Sequence, residues 1–193
     1  MAQIIQQHFG KRKRKIVLVG VAGVGKTTLG KLAAEKLSFL FLDVDVGFEE
    51  KEGSNIETLL ERYGDTEFDN RLLTYFVEQI IGENATIFAA PARILNRKKF
   101  WDVVRLNGVS IHLQGELMDI FMRQDIWVNG RKLTKEEKLK KQKWKREFND
   151  YYKWRLKHCQ KADYTVRIVG NKQIDTENLC EKISEICIHE IES

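Results

Sequence analysis

Eight residues, Gly20-Val21-Ala22-Gly23-Val24-Gly25-Lys26-Thr27, restrict this chain more than any others. They complete the pattern G-x-x-x-x-G-K-[ST], which carries meaning where a strand runs into it and a helix leaves it. Both flanks suit. Ile16-Val17-Leu18-Val19 is a β-branched apolar run of buried-strand type. From Thr28 to Leu37, apolar residues at Leu29, Leu32, Ala33 and Leu37 line one face of a helix. Gly20, Gly23 and Gly25 give the backbone conformations closed to other residues and let it approach a phosphate chain closely. The inward-pointing N–H groups and the positive end of the helix then bind the anion. The nucleotide-contacting set expected from the loop is Gly20, Gly23, Val24, Gly25, Lys26, Thr27 and Thr28. Lys26 is expected to reach the β- and γ-phosphates, and Thr27 to offer its hydroxyl to Mg²⁺, so ATP and Mg²⁺ are the cofactors implied.

Strand-like and helix-like segments alternate along the rest of the chain. Phe39 to Leu42 reads as a second strand, ending at Asp43-Val44-Asp45. Ser54 and Glu57 have the spacing of a capping box, which predicts a helix from about Asn55 to Tyr63. A second helix is predicted beyond Gly64, from about Glu67 to Ile81. Ala85 to Ala89 and Val109 to Leu113 read as strands, followed by a helix from Glu116 to Arg123. A long helix is predicted from about Lys135 to Lys161, with Trp144, Phe148, Tyr151, Tyr152 and Cys159 on its inner face. Tyr164 to Val169 is a fifth strand, and Thr176 is a candidate cap for a last helix. Strands separated by helices imply a parallel sheet covered on both faces. The polar stretch 124–143 is the candidate lid.

The 193 residues suit one domain, taken as 15–193 behind a basic lead-in at 1–14. With 42% hydrophobic and 32% charged residues, and no apolar run near the ~20 residues that span a bilayer, a cytoplasmic protein without a membrane partner is expected. Cys159, Cys180 and Cys187 have neither disulfide-framework nor metal-site spacing and read as core residues. The net charge of +5 is concentrated in Lys11 to Lys15 and Lys132 to Arg146. No aromatic-interleaved strand or recognition module accompanies these clusters, so they read as solvated charge rather than a nucleic-acid surface.

With the loop, the Asp43-x-Asp45 pair and this ordering of elements, the chain resembles the shikimate kinases. The likeness runs from about Lys15 to Ile188. It is strongest in FLFLDVDVGFEEKEGSNIETLLERYGDTEF, which follows the family's F-x-D-x-D, G-x-S-I and G-E-x-x-F patterns; Ala162-Asp163 before the last strand is a further anchor. The resemblance implies a three-layer α/β P-loop NTPase fold with a five-stranded parallel sheet in the order 2-3-1-4-5, and a monomer. It assigns Asp43 to the Mg²⁺ shell through water and Asp45 to the acceptor hydroxyl. Independently of the family, Mg·ATP phosphoryl transfer needs a carboxylate near the metal and another to orient or deprotonate the acceptor. Arg123 matches the arginine that packs on adenine. Arg131 resembles the lid arginine, a cation able to stabilise charge on the transferred group.

The acceptor side departs from the family. The family's carboxylate-gripping arginine after G-E-x-x-F is Asp69 here, its triple glycine is Ala90-Pro91-Ala92, and its second arginine falls on Trp154, beside Arg155. A carboxylate in place of a guanidinium removes bidentate recognition of an anion and adds repulsion. Arg71, Arg93 and Arg155 lie close in sequence to the altered positions. The reading that results is an ATP-dependent phosphotransferase acting on a hydroxyl of a small metabolite. Its alternatives are a nucleotide-binding regulatory or interaction protein without catalysis and, from the basic clusters, a nucleic-acid-associated ATPase.

Overall fold

A computed structural model describes residues 15–82, 84–123, 127–128, 131–132, 134, 136–137 and 142–189. The elements run β1 (Lys15–Val19), α1 (Lys26–Leu37), β2 (Leu40–Asp43), α2 (Val44–Glu52), α3 (Ile56–Ile80) and β3 (Thr86–Ala89). A 3-10 turn (Ala92–Asn96) follows, then α4 (Lys98–Asn107), β4 (Val109–Gly115) and α5 (Leu117–Arg123). Next come β5 (Trp127–Val128), β6 (Arg131–Lys132), α6 (Gln142–Cys159), β7 (Tyr164–Ile168) and α7 (Lys172–His189).

Five strands form one sheet in the order β2-β3-β1-β4-β7, every neighbouring pair parallel. This is the expected 2-3-1-4-5 order, with β7 as the fifth strand. Successive side chains of a strand point to opposite faces, and β1 shows the consequence. Ile16 and Leu18 pack into one layer with Leu29, Ala33, Leu179 and Ile183 of α1 and α7. Val17 and Val19 enter the other with Phe48, Phe68, Phe76 and Phe100. A central strand buried on both faces explains why β1 reads as a continuous apolar run rather than an alternating one.

Several local expectations are corrected. Asn55, not Ser54, caps α3, its Oδ1 accepting from Thr58 N at 2.8 Å. Glu49 takes the Ile56 amide at 2.8 Å, so the expected capping box is replaced by a carboxylate from the preceding helix. Asp45 does not end a strand: Asp43 closes β2 and caps α2, which places Asp45 in that helix's first turn. The last helix begins near Lys172, with Asn171 accepting from Gln173 N and Ile174 N. Thr176 lies inside it, its hydroxyl donating to Lys172 O. The 3-10 turn and α4 fill a stretch for which the sequence suggested nothing. The expected break at Gly64 is present, since its φ of 70° and ψ of 165° interrupt α3. Of the lid candidate 124–143, β5 and β6 pair antiparallel; most of the remainder lies outside the described residues, as do residues 11–14 of the basic lead-in. The side chains of Trp144, Phe148 and Tyr151 are likewise outside them, whereas Tyr152 and Cys159 are buried as expected. Cys187 is buried and Cys180 partly so. Among the described residues no helix is long and apolar enough to cross a membrane.

Gly108 joins α4 to β4 where the chain passes against β1: a Cβ there would stand 2.4 Å from Lys15 O. Gly108→Ala is therefore expected to force β1 and β4 apart at their start and lower stability by about 1–3 kcal/mol. Urea unfolding would register this as a reduced midpoint at constant slope; an unchanged midpoint would show that the close approach is dispensable.

Candidate active site

The site gathers at the carboxyl ends of β1, β2 and β3, where open parallel sheets bind ligands. α1 starts there in an unusual electrostatic state. Its N-cap is Gly25, at φ 112°, with no side-chain capping bond and no acidic residue in the first turn. Gly23, at φ 79°, also occupies the left-handed region that favours glycine. The first-turn amides of Lys26, Thr27 and Thr28 thus keep their full attraction for an external anion. Val24 is buried under the loop, its amide reaching Val21 O at 3.4 Å. Gly20 lies so close to β4 that a Cβ would come within 3.0 Å of Leu113 O.

Lys26 curls over this loop, its Nζ donating to Gly20 O at 3.0 Å and Val21 O at 3.2 Å. Burial lowers its pKa, and Asp45, Cys159 and Asp43 oppose that shift. Asp43 uses its two oxygens differently. Oδ1 accepts from Asp45 N at 3.1 Å and Val46 N at 3.4 Å, which fixes the start of α2. Oδ2 accepts from Thr27 Oγ1 at 2.5 Å, bridging β2 to the phosphate loop. Asp45 is pushed up to about 6, first by burial and then by Asp43, with Lys26 pulling the other way.

Beside β4 and β7, Arg123 Nη2 stands 3.5 Å from where a Cβ of Gly170 would be. Gly170 and Val169 are held by Asp175, which accepts from their amides at 3.0 and 2.8 Å. Arg123 and the turn after β7 thereby face one another. Nothing in the sequence had marked Gly170 or Asp175.

Around the 3-10 turn, Arg93 donates from Nε to Asp69 Oδ1 at 2.8 Å and from Nη2 to Asp65 Oδ1 at 2.6 Å, with its guanidinium 5.2 Å from the centre of the Phe68 ring. Arg97 Nη2 lies 3.7 Å from Asp69 Oδ2. Arg155 donates to Ala92 O, while its neighbour Trp154 stays largely exposed. Ala90 is fully buried, its amide donating to Leu18 O at 3.0 Å. The structure thus brings Asp69, Arg93, Ala90 and Arg155 to one region. Arg71 stands apart from it, bonded to Glu67 at 3.0 Å and stacked 4.2 Å from the Tyr63 ring centre. Arg131 lies on β6; its side chain is outside the described residues. Asp65 and Arg97 went unnoticed in the sequence. Cys159, read there only as core, is close enough to Lys26 to influence it, and burial pushes its thiol up to about 11.

A family model for shikimate kinase matches residues 22–189. The chain belongs to the shikimate kinase family. The shikimate kinase of Persephonella marina is 33% identical over 110 residues, 57% of this chain and 66% of that protein. The chain's match therefore spans just under two thirds of that relative's length. The shikimate kinase of Thermodesulfovibrio yellowstonii is 28% identical over 183 residues, covering 93% of this chain and 95% of that one. The solved shikimate kinase of Acinetobacter baumannii, in complex with shikimate, superposes with a TM-score of 0.76 at 22% identity over 98% of both chains. The fold expected from the resemblance is thus borne out.

The environment of Asp45 carries a stability consequence with a definite sign. The folded chain holds this proton up to about pH 6, whereas the unfolded chain releases it near 3.8. The stability Asp45 contributes is complete below the lower value and lost as pH rises through the upper one. Asp45→Asn should therefore raise the melting temperature of the ligand-free protein at pH 7.5, by the equivalent of roughly 3 kcal/mol. The gain should vanish near pH 3.5. Melting curves at both pH values check this, and equal wild-type and variant values at pH 7.5 would contradict it.

Proposed function

We propose that this protein transfers the γ-phosphoryl group of ATP to a hydroxyl of a small acceptor, with Asp45 as the group that takes the acceptor proton. The observation that carries the reading is the Thr27–Asp43 contact of 2.5 Å, which joins the phosphate loop to the carboxylate pair of β2 and α2. The uncapped amides of α1 would hold the nucleotide phosphates, and Lys26, now on the Gly20 and Val21 carbonyls, would supply its ammonium to the phosphate oxygens. Arg123 takes the base against the turn at Gly170, and Arg131 is assigned to the transferred group.

The donor set fits Mg²⁺. Thr27 and Asp43 offer hard oxygens, and no group of three or more His, Cys, Asp or Glu side chains that could hold a metal exists among the described residues. Mg²⁺ uses few protein ligands and keeps waters, whereas a structural metal demands a closed cage. When bound, it neutralises charge on the phosphates. The acceptor oxygen bonds to phosphorus as the bond to the ADP oxygen breaks, and the hydroxyl proton passes to Asp45. A carboxylate with a proton affinity near 6 is better matched to that task than an ordinary aspartate near 3.8.

ADP release would be followed with Mg·ATP and a panel of shikimate, quinate, gluconate, myo-inositol and sorbitol. Acceptor-stimulated turnover is expected, rising with pH to a plateau above about 6 as Asp45 ionises. Lys26→Ala should abolish productive ATP binding. Asp45→Asn should retain nucleotide affinity and lower kcat by roughly 10²–10⁴. Full activity in Asp45→Asn would exclude that residue as the base. ATP binding with no turnover on any acceptor would favour a purely nucleotide-binding role.

A further inference from the structure

Three arginines converge on the 3-10 turn, and one of them, Arg93, has its Nε–Nη2 edge already committed in a revealing way. A guanidinium reads a carboxylate through a fork of two parallel N–H groups. In Arg93 the Nε–Nη2 fork is divided between two different carboxylates, Asp69 Oδ1 at 2.8 Å and Asp65 Oδ1 at 2.6 Å. Asp69 is only 15% exposed, and its second oxygen is covered by Arg97 Nη2 at 3.7 Å. Arg97 Nε is buried without a hydrogen-bond partner among the described residues, so it does not present an open fork either. An incoming carboxylate has two routes. It displaces Asp69, leaving a largely buried charge unpaired, which is strongly destabilising; or it docks beside Asp69 and meets like-charge repulsion. A hydroxyl oxygen meets neither obstacle, because it carries no charge and needs only one N–H at a time.

From this geometry we infer that Asp69 is a specificity-determining residue: by holding the Arg93 fork it makes the pocket select an uncharged, hydroxyl-rich acceptor over a carboxylate-bearing one. The inference rests on the phosphotransferase reading for the word acceptor, but the charge preference belongs to the pocket itself. Asp69 acts through Arg93, so it is a positioning residue rather than a catalytic one. Asp65 is 85% exposed and contributes less, because solvent screens its pair with Arg93.

The test compares two probes that differ in charge and by one methyl group, shikimate and its methyl ester, by calorimetric titration into the full chain saturated with Mg·ADP. The wild type is expected to bind the ester at least as tightly as the acid. Asp69→Asn, which removes the buried negative charge held against Arg93, should shift the preference towards the acid tenfold or more, including the case in which acid binding appears only in the variant. A wild type preferring the acid tenfold overturns the inference, as does an Asp69→Asn variant in which the preference is unmoved. Circular dichroism checks that the variant folds. Should it not, Asp65→Asn takes its place, with a shift of about threefold expected and no shift counting against the proposal. Because binding is the readout, absent turnover would sink the phosphotransferase reading and leave the charge preference measurable.

Discussion

The positive end of α1, left open by a glycine at the N-cap, is the constraint from which the rest follows. Helices ordinarily satisfy their first amides with a side chain, and this one has neither a capping bond nor an acidic residue in its first turn. An end in that condition, set at the tip of a strand whose every residue is buried, concentrates attraction for negative charge at one point of the sheet edge. Lys26 adds to it while spending its ammonium on the loop's own carbonyls. That arrangement makes the carboxylates of β2 and α2 tolerable so close by.

Asp43 and Asp45 show how a two-residue spacing acquires two chemical environments. Asp43 ends a strand and accepts from two helix amides and a threonine hydroxyl, so both of its oxygens are held. Asp45 sits one step inside α2, desolvated and facing Asp43, which raises its proton affinity. The chain change from strand to helix between the two creates the difference. Had both remained on β2, they would have pointed to the same face with similar surroundings.

That change of element marks where the sequence was legible and where it was not. The loop, the buried run Ile16 to Val19 and the alternation of strands and helices are local signals, and they led to the parallel sheet and to the glycine-rich turn between β1 and α1 directly. Gly64 was legible because only a left-handed residue breaks α3 there. The Asp43-x-Asp45 spacing fits a strand end as well as a cap followed by a helix turn, so the start of α2 was hidden. Asp69 posed a different difficulty. From the sequence it looked like a repulsive charge in an eroded pocket, because its partners lie 24 and 28 residues further on, at Arg93 and Arg97. Pairing across such separations is set by how the 3-10 turn packs on α3, which no periodicity encodes. Arg155 was a candidate only through its neighbour Trp154, and its actual contact, with a backbone carbonyl, leaves no trace in residue type.

The two halves of the site are also joined by one element whose role emerges from its contacts taken together. Tyr152 of α6 donates to Gly115 O at 3.0 Å, at the end of β4 beside the phosphate loop. One turn on, Arg155 donates to Ala92 O, at the head of the turn that bears Arg93. A further turn on, Cys159 is buried near enough to Lys26 that each affects the other's proton affinity. Spacings of three and four residues place all three on one face of the helix. One face of α6 thus touches both the end of β4 beside the glycine-rich loop and the turn that bears Arg93.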